Sequence, residues 1–466
     1  MSLARLSALD EAFLTLESPQ VPMHVGWAAT FSPPSRGGRP SFEMIRAHIE
    51  GRLGRAPRYR QKLAEVPFGL AEPVWIDDPG FDIANHVRRA PDGDFARLVD
   101  DVMSTALAAD RPLWELWISE RHDGQLGVVG KAHHCLVDGL AAVELMALLL
   151  DPTPEPEGRP SEVWQPARPP SALGLVGAAA RSQAERALDL VRRPVGWARA
   201  PQQLLTLPGQ ALRTARAAAH TALPAVPQSP LNGPLASARH LAFGSRPFED
   251  LRSIKERFDT TVNDVLLAAV AAGLRQLAQD YGDLPAPVKA MVPVSVGDPD
   301  QRWGNRIAFL FLALPCDEPD PLWRLRDIHV AMRDRKRGGE PDGAEALLAA
   351  LAYAPRLLRP VAARALASPR VSNLTVSNIP GPRMPVYLMG CEAQSAYPVV
   401  PLTPAHRISI GMTTVCRRAC FGVYAEADLS VEADRLLARI DQSIDELLAL
   451  CGQDTDRAAH RANARA

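Results

Sequence analysis

No stretch of about twenty uncharged apolar residues occurs in the 466-residue chain, so the sequence offers no transmembrane helix. Cysteine is sparse and unpatterned: the six, at 135, 316, 391, 416, 420 and 451, form no CxxC pair. That argues against a disulfide framework and reads as reduced intracellular thiols. Cys416 and Cys420 are four apart, but no second pair completes a zinc site, and no metal is expected. A G-x-S-x-G elbow is missing, which leaves no serine nucleophile of the hydrolase type. Charge of one sign is missing too. With 52 Lys and Arg against 53 Asp and Glu, the net charge is −1 and there is no basic stripe for nucleic acid. Arg5, Asp10, Glu11 and Glu17 break any apolar run before Gln20, so the first twenty residues do not read as a signal peptide.

What is present fits a large globular protein. Apolar residues make up 47% and charged residues 23%. The length exceeds one ordinary core, so two domains are expected. Residues 1–150 mix strand candidates (25–31, 113–118, 126–133) with helical spacing over 42–53, 94–109 and 139–150. Proline then crowds 151–170, and an Ala- and Arg-rich helical stretch follows over 171–220. Residues 151–235 thus read as an inter-domain linker with helical pieces. The second domain is placed at 236–452. Strands are expected at 239–243, 288–296, 307–314, 374–378, 408–415 and 419–425, and helices at 247–258, 262–281, 321–337, 343–366 and 431–451. The polar tail 453–466 is expected to be disordered.

The sharpest motif is HHxxxDG at 133–139: His133, His134, Cys135, Leu136, Val137, Asp138 and Gly139. An apolar strand delivers two histidines into a turn. Side chains on a strand alternate faces, so the pair should diverge, one lining a cavity and the other anchoring the strand. Divergence disfavours a shared metal. A neutral imidazole suits proton abstraction from a hydroxyl. Gly139 permits a close approach that a side chain would block. The alternative is a pair of core histidines ahead of a helix that Asp138 merely caps.

Further segments, in order, resemble the bacterial wax ester synthase/diacylglycerol acyltransferase family of the chloramphenicol-acetyltransferase-like superfamily. They are Leu6 to Asp10 with Phe13, the PLW element Pro112-Leu113-Trp114, and the ND helix start Asn263-Asp264 running to Ala268. Val292 to Val296, Gly304-Asn305 and the SNIPGP run Ser377-Asn378-Ile379-Pro380-Gly381-Pro382 complete the set. Each has a plainer reading: Trp114 fills core, Asn263 caps its helix with Asp264 in the first turn, and SNIPGP is a rigid turn. Ser377 or a nearby amide could instead stabilise an oxyanion.

The resemblance covers about residues 1–452. It implies an α/β (α+β) fold, two chloramphenicol-acetyltransferase-like domains each with a mixed sheet and flanking helices, and a tunnel between them. It implies that His134 is the general base, that His133 supports it, and that Asp138 holds the loop. Gly139, Asn263, Asp264, Ser377 and Asn378 would support the site. The implied reaction moves a long acyl group from acyl-CoA directly to diacylglycerol or a long-chain alcohol, with no acyl-enzyme and no cofactor. Cys135 would point away from His134. A carrier-protein-dependent condensation enzyme, a lipid hydrolase and a silent lipid-binding relative are the rival readings. The expected location is cytoplasmic or peripheral, at the inner membrane face or at lipid droplets, with 171–220 as a candidate lipid-contacting segment.

Overall fold

The computed structural model describes residues 6, 8–34, 38–120, 124–136, 149–155, 164–181, 184, 229–296, 306–338 and 359–463. In the first half, helix α1 (Ala8–Leu16) is followed by β1 (His24–Phe31), α2 (Phe42–Arg52), β2 (Gln61–Ala64), β3 (Val74–Asp77) and β4 (Val87–Arg89). Helix α3 (Phe95–Ser104), β5 (Trp114–Glu120) and β6 (Leu126–His133) complete that half. The second half contributes β7 (Arg239–Pro247), β8 (Val288–Val296), β9 (Arg306–Leu314), β10 (Leu374–Ile379), β11 (Tyr387–Leu388), β12 (Cys391–Val399), β13 (Ile408–Val415) and β14 (Arg418–Glu426). Helices Phe248–Arg257, Val262–Asp280, Pro321–Arg337, Arg359–Leu366 and Ser430–Asn463 accompany them.

Two six-stranded mixed sheets result. The first runs β11-β12-β1-β6-β5-β4 and the second β7-β14-β13-β10-β8-β9. Only β4 with β5, and β10 with its two neighbours, pair in parallel; the other ladders are antiparallel. The two-sheet α/β architecture is the expected one, but the halves are not partitioned at residues 150 and 236. β11 and β12 lie within 236–452, yet β12 pairs with β1, Gly26 opposite Val399 and Thr30 opposite Ser395. Its CEAQSAYPV sequence carries Glu392, Gln394, Ser395 and Pro398, too polar to announce a strand. Only the partner selects it. Likewise Asp151, the first residue of the expected linker, is buried. Its backbone exchanges hydrogen bonds with Tyr387 (2.7 and 2.9 Å), and its carboxylate pairs with Arg52.

The sheets meet where β12 ends. Gly411 and Gly422 stand directly opposite each other on β13 and β14. A Cβ on Gly422 would fall 2.2 Å from the Pro398 carbonyl oxygen, and one on Gly411 2.9 Å from the Pro398 ring. This bare glycine pair lets β12 lie against the second sheet. Helix α3 makes the other bridge. Asp100 accepts the Leu241 N–H at 2.9 Å and faces His240 Nδ1 at 2.8 Å, while Asp434 of the last helix stands 3.4 Å from His240 Nε2. The hydrogen bond from His240 to Asp100 is the largest influence raising the imidazole above its usual 6.5.

Two element boundaries differ from expectation for physical reasons. Helix α3 stops at Ser104, not 109, because buried Lys131 Nζ donates to the Val102 and Thr105 carbonyls at 2.9 and 2.8 Å and caps the helix end. The last helix runs to Asn463, so 453–466, expected to be disordered, is helical through that residue. Its Ala and Arg content favours helix. Ala433, Leu436, Ile440, Ile444 and Leu447 form its buried stripe in the second core. The expected helix at 139–150 and most of the Arg-rich stretch lie outside the described residues.

Gly422→Ala should lower stability by about 1–3 kcal/mol or more, because the obstructing atom is backbone and cannot rotate away; urea unfolding would measure it. A group whose folded pKa is raised, as His240's is, adds stability that is complete below its unfolded pKa of 6.5 and is lost as pH rises through the folded value. Asp100→Asn keeps an oxygen for the Leu241 amide but removes the charge. The Tm gap between wild type and Asp100→Asn should therefore be wide at about pH 5.5 and narrow at about pH 8.5. A gap that does not change with pH would refute the clamp.

Candidate active site

Strand β6 is buried along its whole length and ends at His133. The chain then turns through His134, Cys135 and Leu136. Two backbone bonds shape the turn: His134 N–H donates to the Met23 carbonyl at 3.0 Å, and Leu136 N–H to the His133 carbonyl at 2.9 Å. Met23 itself sits at φ +46°, in the left-handed region that non-glycine residues seldom adopt. The strained residue thus holds the acceptor that fixes the His134 backbone.

The two imidazoles meet different surroundings. His133 is fully buried, and its Nδ1 accepts the Cys135 N–H at 3.1 Å. Its Nε2 lies 3.7 Å from Glu17 Oε2, beyond hydrogen-bond range. His134 keeps partial exposure, and its ring stacks on Phe13 with centroids 3.7 Å apart and planes 24° apart. Among the described residues, its buried Nδ1 has no hydrogen-bond partner of normal geometry. Desolvation lowers both pKa values to about 4; for His134 a contact with its own backbone only partly offsets that, and for His133 the neighbouring His134 adds to it. Both rings are therefore neutral near pH 7.

Cys135 is buried, and burial pushes its thiol well above the ordinary cysteine range. A thiol held in that form is a poor nucleophile. Asp138 and Gly139, the rest of the motif, lie outside the described residues.

The remaining candidates occupy the second half. Asn263 is not the N-cap of its helix. Thr261 is, and Asp264 closes a capping box with it: Thr261 N–H donates to Asp264 Oδ2 at 2.9 Å and Asp264 N–H to Thr261 Oγ1 at 3.2 Å. His329 Nδ1 lies 2.8 Å from the same carboxylate oxygen. Asp264 is thereby committed to capping its own helix and to pairing with the helix Pro321–Arg337, and Asn263 sits half-buried in the first turn. Ser377, buried on β10, stands in register with Gly411 on β13, and Asn378 with Met412. Ser377 thus borders the inter-sheet seam. The SNIPGP turn is packed closely: a Cβ on Gly381 would lie 2.0 Å from the Thr414 carbonyl oxygen. Trp114 of the PLW element is core, donating to the Tyr59 carbonyl at 2.8 Å and stacking on His86.

Three residues around the histidines carry no sequence signal for a role there: Phe13 belongs to the opening motif, Glu17 reads only as a charge in an apolar run, and His24 belongs to no motif. His24 is buried, sits opposite His133 in the β1–β6 ladder, and is pushed by burial, then by Lys131, to a pKa of about 2. The four-residue spacing of Phe13 and Glu17 says only that the two share a helix face.

Comparison with known proteins extends this picture. The family model described as wax ester synthase/diacylglycerol acyltransferase catalytic domain matches residues 6–266, and the WS/DGAT C-terminal domain matches 303–448. The first span holds the histidine motif, PLW and ND; the second holds SNIPGP. A putative diacylglycerol O-acyltransferase of Mycobacterium tuberculosis strain CDC 1551 is 31% identical over 471 residues, covering 97% of this chain and 91% of the relative. A probable diacylglycerol O-acyltransferase of M. tuberculosis strain H37Rv is also 31% identical, covering 96% of each chain. Among solved structures, the wax ester synthase/diacylglycerol acyltransferase from Marinobacter aquaeolei VT8 superposes with TM-score 0.69 at 25% identity, covering 96% of this chain and 100% of that one. The first condensation domain of the calcium-dependent antibiotic synthetase shares the fold, with TM-score 0.60 at 17% identity over 97% and 96% of the two chains. Matches that span both halves leave one conclusion: the chain is an acyltransferase and belongs to the wax ester synthase/diacylglycerol acyltransferase family.

Proposed function

We propose that the chain transfers a long-chain acyl group from acyl-CoA to the hydroxyl of diacylglycerol, and also accepts long-chain alcohols, with His134 as general base. The observation that carries this reading is the state of His134: neutral, partly exposed, its backbone bonded to the Met23 carbonyl and its ring stacked on Phe13. A neutral ring can take a proton; an imidazolium cannot.

In the proposed reaction the acceptor hydroxyl gives its proton to His134 as its oxygen attacks the thioester carbonyl carbon. The tetrahedral oxyanion collapses, the carbon–sulfur bond breaks, and the departing thiolate recovers the proton from His134. Atoms and charge balance without an acyl-enzyme. Holding both substrates together supplies the orientation. The protonated, buried Cys135 supports direct transfer. Asp138 and Gly139 are assigned to holding the turn, His133 to supporting His134, and Ser377 with Asn378 to the seam side of the site. The diacylglycerol preference follows the names of the mycobacterial relatives.

Contact with a membrane or lipid-droplet surface is part of the same proposal. Residues 172–181 form a helix whose Leu175 and Ala179 pack against Val66, Ala71 and Val74 while Leu173 stays 85% exposed. Arginines crowd the sequence that follows. No helix among the described residues is long and apolar enough to cross a membrane. Deleting 182–220 should abolish flotation with anionic liposomes while leaving the fold intact. Undiminished flotation would sink the lipid-contact assignment.

Release of coenzyme A from palmitoyl-CoA, with diacylglycerol and hexadecanol supplied separately, tests the chemistry. His134→Ala should reduce acceptor-dependent release by about 10²- to 10⁴-fold. Wild-type activity in that variant would remove His134 from the mechanism, and activity only with a carrier-protein thioester would favour the condensation-type reading. The base must be unprotonated. With its pKa near 4, kcat/KM should stay flat between about pH 6 and pH 8 and fall only on acidification through the lowered value. An acid limb near 6.5 would contradict a desolvated base.

A further inference from the structure

Two residues at the C-terminal end of α1 face the histidine pair. Glu17 N–H donates to the Phe13 carbonyl at 3.1 Å, so the last helical turn carries on through Glu17. Four residues apart, the two side chains share one helix face. Phe13 stacks on His134, and Glu17 Oε2 stands 3.7 Å from His133 Nε2.

Chemistry fixes which nitrogen of His133 carries the proton. Nδ1 accepts the Cys135 N–H, so in the neutral ring the hydrogen is on Nε2. That Nε2 is buried and, among the described residues, has no partner within hydrogen-bond distance. Glu17 Oε2 is an acceptor 3.7 Å from this donor, on a side chain that is 41% exposed. A small rotation, or one bridging water, closes the gap. Among the described residues, the other charged or titratable groups close to these residues are His134 on the turn, His24 on β1, Lys131 on β6, Arg239 on β7, and Asp10 and Arg58 near Cys135. Among the described residues, none of these hydrogen-bonds to His133 Nε2.

We propose that Glu17 is a positioning residue for acyl transfer: it accepts the Nε2–H of His133 and so holds the tautomer whose Nδ1 anchors the Cys135 amide and the turn presenting His134. Phe13, on the same helix face, braces the His134 ring. The helix that carries both is fastened from the other half of the molecule, since Arg359 Nη1 bonds Glu11 Oε2 at 2.9 Å and Glu72 Oε1 at 2.8 Å. The platform under the histidines is thus tied into both halves of the chain.

This inference rests on His134 being the base, and its test separates the two ideas. Protein labelled with ¹⁵N-histidine reports the state of His133, assigned by difference against His133→Gln. The wild type should show a protonated Nε2 and an unprotonated Nδ1. Glu17→Gln keeps a carbonyl acceptor and should retain that pattern and most of kcat. Glu17→Leu, similar in volume and without an acceptor, should mix the His133 tautomers and lower kcat by about 10- to 100-fold, as loss of an orienting partner typically does. Its KM for palmitoyl-CoA should change little. Wild-type kcat in Glu17→Leu, equal losses in both folded variants, or a wild-type His133 protonated on Nδ1 would each overturn the proposal. If Glu17→Leu fails to fold, the wild-type tautomer and the Gln variant still decide. Full activity in His134→Ala would instead refute the base assignment and leave the tautomer result standing.

Discussion

The architecture depends on a place with no side chains. Gly411 and Gly422 face each other across β13 and β14, and Pro398 lies over them at distances no Cβ would allow. At Gly422 the contact is backbone against backbone, and it cannot yield by rotamer change. It fixes β12 against the second sheet while β12 completes the first. The strand is therefore shared in function: its ladder belongs to one sheet and its packing to both. Val415 and Cys420 of the second sheet join Leu388, Cys391 and Ala393 in the core that also holds Trp114 and β6.

The histidine turn sits within this frame and inherits its rigidity. β6 lies beside β1, and β1 lies beside β12, so the seam is two strands from His133. Burial does two things there. It strips water from His133 and much of it from His134, which keeps both rings neutral, and it leaves polar atoms whose partners must come from fixed neighbours. Met23, held at φ +46°, supplies one such partner. The cost of that conformation is met by packing at 1% exposure on a strand entry.

Much of this was legible beforehand. Long apolar strands such as 126–133 and 408–415 announce themselves, because burial on both faces demands continuous hydrophobicity. Strand β12 does not, for it is polar and gains its place only through pairing. The motif named His133 and His134, yet the residues touching them, Phe13, Glu17 and His24, sit more than a hundred positions earlier. Asn263 shows the opposite failure: its residue type suggests a cap, but Thr261 two positions before takes that role because Asp264 falls at the third helical position.

By itself the sequence determined the chemistry on offer and the family. It supplied paired histidines at the end of an apolar strand, no serine elbow, no cysteine framework, and six ordered motifs across both halves. Those are properties of residue type and short-range order, which the chain carries whether folded or not. Tertiary structure decided which strand joins which sheet, how far each imidazole is desolvated, and which partners the two rings meet. Each of these is a relation between residues distant in sequence, set by closure of the sheets, and no local pattern encodes it.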